Sequence, residues 1–226
     1  MLLGVLTGLA REVECLPSPT PEMLIACAAA MPERAESISH QFIDQDCRAL
    51  LSFGIAGSLC PDVQVGDIVV STGVKNAQDD VIVADDVWLL RVFELLGQEI
   101  SSVHKGLIYG SDIAITSAQL KSDIYAKSKA LCVDMETHRM ALVAQQAAIP
   151  FLAIRVISDD ATRAIPSAAL GVIGENGKPQ IGRVLKGLLR HPNQIPALMA
   201  LSKDMELALA TLRRVPGILG PLFGAA

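Results

Sequence analysis

Short apolar runs alternate with longer stretches of helical periodicity along the whole chain, the pattern of an α/β domain built on a mostly parallel sheet. The apolar runs predict strands at Leu2–Thr7, Leu24–Ala28, Ala49–Phe53, Asp67–Ser71, Val103–Tyr109, Leu131–Asp134 and Phe151–Ile157. Between them, Pro32-Glu33-Arg34 opens a helix with proline in its first turn and Ala35, Ile38, Phe42 and Ile43 as its inner stripe. A second helix is expected from Asp85-Asp86, whose carboxylates suit a helix N-terminus, to Gly97. The segment Ile181–Leu212 reads as two further helices broken around His191-Pro192-Asn193. Beyond it, Val215–Phe223 is apolar but too rich in Gly and Pro for a helix, so it is expected to pack on a partner subunit or touch lipid.

Composition narrows the function classes. With 226 residues, 51% of them hydrophobic, the chain suits one well-buried domain over residues 1–226, with its C-terminal helices starting near 180. A formal charge of −5 offers no basic face for nucleic acid, which leaves a small molecule as the partner. The five cysteines (Cys15, Cys27, Cys47, Cys60, Cys132) include no C-x-x-C pair and read as buried thiols of a reducing cytosol. His40, His104, His138 and His191 lack metal-ligand spacing, and neither a metal nor any other cofactor is expected. Trp88 and Phe93 read as core. Leu2–Ala10 has no positive n-region and runs straight into Arg11-Glu12, as a buried first strand would. No uncharged run reaches the roughly 18 apolar residues of a membrane helix. The expected location is the cytoplasm, with peripheral contact at the inner membrane face left open.

Ligands of open α/β sheets bind beyond the carboxyl ends of the strands, so the chemistry is sought there. Four such ends stand out: Thr7–Glu12, Gly54–Ser58, Asp134–Glu136 and Arg155–Asp159. Gly54 and Gly57 follow a strand directly and would let backbone amides approach a ligand, or would simply make a tight turn. They form neither a P-loop nor a G-x-G-x-x-G fingerprint. Glu136, behind the apolar Leu131–Val133, either faces a cleft or is an acid favoured in a helix's first turn. Asp159 could cap a helix, and Glu12 could be an exposed helix charge.

Taken together these segments resemble one superfamily. Leu6-Thr7-Gly8, Ala10-Arg11-Glu12-Val13, Gly54-Ile55-Ala56-Gly57-Ser58-Leu59, Val65-Gly66-Asp67-Ile68-Val69, Val133-Asp134-Met135-Glu136 and Arg155-Val156-Ile157-Ser158-Asp159 match, in order and spacing, the nucleoside phosphorylases and nucleosidases. The resemblance implies a purine nucleoside phosphorylase-like fold, a three-layer αβα with a central mixed, mostly parallel sheet. It also implies cleavage of the N-glycosidic bond of an adenine nucleoside. Adenine leaves poorly as an anion, so an acid must protonate it. By resemblance that acid is Asp159, with a carboxyl pKa raised by burial behind Ile154–Ile157. Glu136 would bind the ribose hydroxyls and stabilise the oxocarbenium-like ribose. Glu12 would activate water, and Arg155 would orient that water or its carboxylate. Ala56, Gly57 and Met135 would complete the ribose wall, with Ile115 and Ser158 also in contact with substrate. Glu12 beside the first strand would repel a phosphate dianion, with only Arg11 and Arg34 near enough to offset it, which favours water over phosphate as nucleophile.

The chain departs from the methylthioadenosine/S-adenosylhomocysteine nucleosidases within that superfamily. Their hairpin after the first helix is reduced to Pro17–Pro21, and their aromatic loop to Lys75–Asp80. Ala114 stands where an aromatic residue stacks on adenine, and Ile55 replaces a serine. A bulky apolar 5′ substituent suits such a site better than a compact methylthio group. The Ser52–Gly57 and Asp134–His138 runs and the tail Leu188–Leu198 resemble a narrower group, the hopanoid-associated nucleosidases that convert adenosylhopane to adenine and ribosylhopane. Arg183, Lys186 and Arg190 opposite Val184, Leu185, Leu188 and Leu189 form either a basic amphipathic helix able to lie on an anionic membrane or an ordinary outer helix. A homodimer is expected by resemblance alone. The other readings are a methylthioadenosine/S-adenosylhomocysteine nucleosidase with trimmed loops, a phosphorolytic enzyme, and a non-catalytic nucleoside sensor.

Overall fold

A computed structural model describes residues 1–169, 173–178, 180 and 191–225. The expected basic amphipathic helix at 183–190 lies outside the described residues. Eight strands are present: β1 (Leu3–Thr7), β2 (Met23–Cys27), β3 (Ala49–Ser58), β4 (Ile68–Lys75), β5 (Val81–Val83), β6 (Val103–Gly110), β7 (Cys132–Asp134) and β8 (Phe151–Asp159). The described helices are α1 (Ala10–Val13), α2 (Pro32–Asp44), α3 (Asp86–Glu99), α4 (Ala118–Ser128), α5 (Thr137–Gln146) and α6 (Ile195–Leu219). The sheet runs β2-β1-β3-β7-β6-β4-β5, and β8 pairs with both β3 and β4. This last pairing closes β3, β8, β4, β6 and β7 into a ring. Parallel pairs predominate, with antiparallel pairing at β3–β7, β4–β5 and β4–β8, so the mixed, mostly parallel expectation holds.

Alternation along the strands feeds two cores. Leu51, Leu152, Ile154 and Val156 point to the layer holding Trp88 and Val92 of α3 and Leu209 and Leu212 of α6. Leu50, Ala153 and Ile157 point the other way, to Ala35 and Phe42 of α2 and Met140 of α5. Successive side chains on a strand face opposite sides, so a strand covered on both faces reads as a continuous apolar run. Asp85 caps α3 by accepting a hydrogen bond from the Trp88 amide at 2.8 Å.

Two expectations are corrected. Residues Gly54–Ser58 are not a loop: they continue β3, because β8 and β7 supply hydrogen-bond partners on both sides. The apolar tail is helical through Leu219 despite Pro216, and it packs on its own chain. Val215, Leu219 and Phe223 continue the inner stripe of Leu209 and Leu212. Phe223 meets Phe53 edge-on at 5.3 Å, and its carbonyl accepts from the Trp88 indole at 2.7 Å. An interior proline costs about 3 kcal/mol, whereas each such buried side chain stabilises by about 1.5–3 kcal/mol. Burial therefore wins. Two elements were not foreseen, α4 and the short edge strand β5, which turns back on β4 through Lys75–Asp80.

Candidate active site

The carboxyl ends of β1, β3, β7 and β8 converge on a cavity of about 590 Å³. Of the residues singled out in the sequence, Glu12, Glu136, Asp159, Met135, Ala56, Gly57, Ile115 and Ser158 all line it. Arg155 does not.

Glu12 reaches the cavity from the one-turn helix α1 and is only 2% exposed. Its Oε2 accepts from the amides of Gly8 and Leu9, both at 2.7 Å, and its Oε1 from the amide of Ile55 at 2.8 Å. Ionised carboxylates offer about four acceptor directions. Three are taken by the backbone, which leaves one for a water in the cavity. Burial raises the pKa of Glu12, against the opposing pull of Arg155 and the three amides.

Glu136 stands at the N-cap of α5 without capping it. Asp134 does that instead, its Oδ1 accepting from the amides of Glu136 at 3.2 Å and Thr137 at 3.0 Å. The helix-start role thus falls to Asp134 and leaves the Glu136 carboxyl to the cavity. Burial, then the charge of Asp134, pushes Glu136 up to about 8, with Arg155 pulling the other way.

Asp159 is placed by a β-bulge. The β3–β8 register runs Ala56 opposite Ile157 and then Gly57 opposite Asp159, so Ser158 is the extra residue and Asp159 turns into the cavity. The glycines explain how carboxylates fit against a strand. A Cβ on Gly54 would lie 2.6 Å from Glu12 Oε1, and one on Gly57 would lie 3.1 Å from both oxygens of Asp159. Close approach does require these glycines, but what approaches is a carboxylate of the protein itself.

Two cations sit behind the acids. Arg155, 1% exposed, donates from Nε to Asp134 Oδ2 at 2.5 Å, and from Nη2 to Ser52 Oγ at 2.6 Å and Thr137 Oγ1 at 2.8 Å. It does not itself line the cavity and its acceptors are all protein groups, so of the two expected roles, orienting the water or its carboxylate, no direct contact with a cavity water is offered, and its influence on Glu12 is through charge. Burial works against its charge, and Asp134, Glu136 and Glu12 together more than offset that. Lys121 of α4, fully buried, donates to Asp159 Oδ2. The Asp159 carboxyl is therefore not isolated in an apolar wall as expected. Lys121 escaped the sequence reading, although it shares a helical face with Tyr125 and Ser128, the spacing of an inward stripe.

The remaining walls are apolar. Ile113, Ile165 and Ile173, with Leu198, Met199 and Met205 of α6, give the same cavity an apolar wall. Ala114 lines it too, with no aromatic ring in its place. Arg11 and Arg34 have other engagements: Arg11 binds Glu206 through two hydrogen bonds of 2.6 and 2.8 Å, and Arg34 donates to the Glu175 carbonyl.

Residues 21–190 match the sequence profile of the Phosphorylase superfamily. The chain belongs to this superfamily. A methylthioadenosine/S-adenosylhomocysteine nucleosidase of Thermotoga maritima is 28% identical over 131 residues, 55% of this chain and 60% of that protein, so the match spans less than two thirds of the curated relative. Among solved structures of the same fold, the methylthioadenosine/S-adenosylhomocysteine nucleosidase of Neisseria meningitidis, in complex with methylthio-immucillin-A, superposes with a TM-score of 0.72 at 17% identity, covering 96% of this chain and 98% of that one. Futalosine hydrolase of Helicobacter pylori gives 0.70 at 17% identity, covering 95% and 94%. The Phosphorylase superfamily fold thus spans the chain nearly end to end. Among the described residues no helix is long and apolar enough to cross a membrane.

Proposed function

We propose that the chain is a hydrolase that cleaves the N-glycosidic bond of an adenine nucleoside bearing a bulky apolar 5′ substituent. Adenosylhopane, released as adenine and ribosylhopane, is the substrate to which the sequence resemblance points. The observation that carries this reading is one cavity lined by four buried acids, Glu12, Asp134, Glu136 and Asp159, whose remaining wall is largely apolar. Asp159 protonates the base as the bond to C1′ lengthens. Glu136 holds the ribose hydroxyls and faces the positive charge that develops on the sugar. Glu12 takes the proton of the attacking water through its one free acceptor direction. Met135, Ala56, Gly57, Ile115 and Ser158 shape the wall around the nucleoside, and Arg155 fixes Asp134 at the start of α5.

Water is favoured over phosphate by electrostatics. An incoming dianion would face Glu12, while Arg155, Lys121 and Arg11 are each already bound to a carboxylate. A compact methylthio substrate would leave much of the apolar wall uncovered. A nucleoside sensor would gain nothing from desolvating three acids, each of which costs free energy to bury. Ile113 and Met199 line the cavity and are also exposed, 67% and 68%, which supports peripheral contact with lipid there. A homodimer in the cytoplasm completes the proposal on resemblance alone.

Adenine release across 5′-alkyl adenosines of increasing length, with and without phosphate, tests the reading. The expected result is kcat/KM rising with chain length and a free ribosyl product in both conditions. A methylthio substrate turned over far faster than the long-chain series would overturn the substrate class. Ribose 1-phosphate would overturn the hydrolysis.

A further inference from the structure

We propose that Lys121 is the positioning residue and charge partner of the acid: it holds one oxygen of Asp159 and neutralises the carboxylate left when the proton passes to the base. The inference deepens the nucleosidase reading and rests on it.

Lysine is rarely fully buried unless paired. Here the ammonium has no exposure and all three of its protons have an acceptor: Asp159 Oδ2, the Asp160 carbonyl at 2.7 Å and the Arg163 carbonyl at 3.3 Å. Three acceptors around three donors are the environment of a charged amine. The two carbonyls fix Nζ against the turn that follows β8, and Nζ in turn fixes Oδ2. The other oxygen, Oδ1, receives only Ser158 Oγ at 3.2 Å and belongs to the cavity wall. Asp160, the neighbouring acid, spends its Oδ1 on the Thr162 amide and hydroxyl, both at 2.6 Å, and so does not compete for the ammonium. Arg163 directs its guanidinium away, to Asp204 at 2.6 Å.

A merely structural role gives no reason for the charge. Buried ion pairs are often no more stable than apolar residues of the same volume, because desolvation offsets the attraction. The chemistry does give a reason. As the C1′–N bond breaks, its electron pair goes to the base, and a proton moves from the Asp159 carboxyl to a ring nitrogen. Water bonds to C1′ and yields its proton to Glu12. The site is left with a protonated Glu12 and an ionised Asp159, and exchange with solvent returns each to its starting state. In a water-poor cavity the new carboxylate needs a fixed cation that requires no reorganisation, and Lys121 already stands on it.

The test compares two leaving groups on the full chain: adenine, which must be protonated, and 4-nitrophenolate from a 4-nitrophenyl riboside, which leaves without an acid. Lys121→Met is expected to lower kcat for the adenine nucleoside by about 10²-fold or more, in the range general acids contribute, with KM nearly unchanged and the nitrophenyl riboside slowed only a few-fold. Lys121→Arg keeps the charge and is expected to recover part of the adenine rate. Because Lys121→Met leaves Asp159 unpaired and is liable to misfold, a second pair is read beside it. Asp159→Asn and the double variant Lys121→Met/Asp159→Asn are expected to share one adenine-release rate. Equal losses on both leaving groups, or losses that multiply in the double variant, overturn the proposal. A wild-type chain that releases neither leaving group overturns the nucleosidase reading itself, and this proposal with it.

Discussion

Replacing Glu136 with Gln should make the protein more stable, by an amount that grows with pH. The carboxyl ordinarily titrates near 4.5, whereas burial and the charge of Asp134 push it to about 8 in the folded chain. Between those values the folded chain holds a proton that the unfolded chain has lost, so stability falls as pH rises through the window. Each pH unit between the two values is worth about 1.36 kcal/mol, which over this interval sets a ceiling on the order of 5 kcal/mol. Neutral glutamine is a near-isostere of the protonated acid and escapes that cost. The variant should match wild type near pH 5 and exceed it by a few kcal/mol at pH 8. For a chain of this size that is a gain of about 2–4 °C in Tm per kcal/mol. Urea unfolding of substrate-free protein at pH 5, 6, 7 and 8 gives the comparison directly, and the same variant should lose turnover because glutamine cannot ionise against the charge that develops on the ribose. A stability difference that stays flat across pH would refute the reasoning.

Glu12 must be ionised to take a proton from water, and burial raises its pKa above the ordinary 4.5. The acid limb of the kcat/KM profile should therefore have its midpoint above 4.5, and Glu12→Gln should abolish that limb together with most of the rate. Arg155→Met should cost about 3–5 kcal/mol by leaving Asp134 buried without its cation. Arg155→Lys should restore little of it, since a point charge cannot reach Asp134, Ser52 and Thr137 at once; chemical denaturation measures both. Phe223→Ala should cost about 3–5 kcal/mol through the cavity left beside Phe53. A chain ending at Arg214 should likewise unfold at lower urea rather than merely lose contact with liposomes.

The acids of the site were legible in the sequence, while the cations that govern them were not, for a physical reason. In an α/β sheet the carboxyl ends of the strands share one edge, so Glu12, Glu136 and Asp159 could be gathered from linear order alone. What each acid touches is set by register and helix rotation, to which linear order is blind. The bulge at Ser158, which turns Asp159 into the cavity, exists only because β3 and β8 pair out of step at Gly57. The same continuation of β3 turned an expected ligand-binding loop into a strand whose glycines make room for Glu12 and Asp159. Arg155 was given by resemblance to the water or its carboxylate, yet alternation along β8 turns it away from the cavity, towards Asp134 and Thr137. Lys121 lay on a helix with no sequence signal stronger than one inward-facing position. The tail failed for another reason: glycine and proline weigh against a helix locally, but a stripe of buried apolar side chains outweighs them. Across the site, four cavity acids face two buried cations, each bound to a single carboxylate. This leaves Glu12 and Glu136 without an ion pair of their own among the described residues. These are the two acids whose pKa rises: Glu12 is to take a proton from water, and Glu136, largely protonated below about pH 8 in the substrate-free chain, is to ionise against the positive charge that develops on the ribose. The same uncompensated burial that destabilises the fold therefore sets both their proton affinity and their attraction for a cationic sugar.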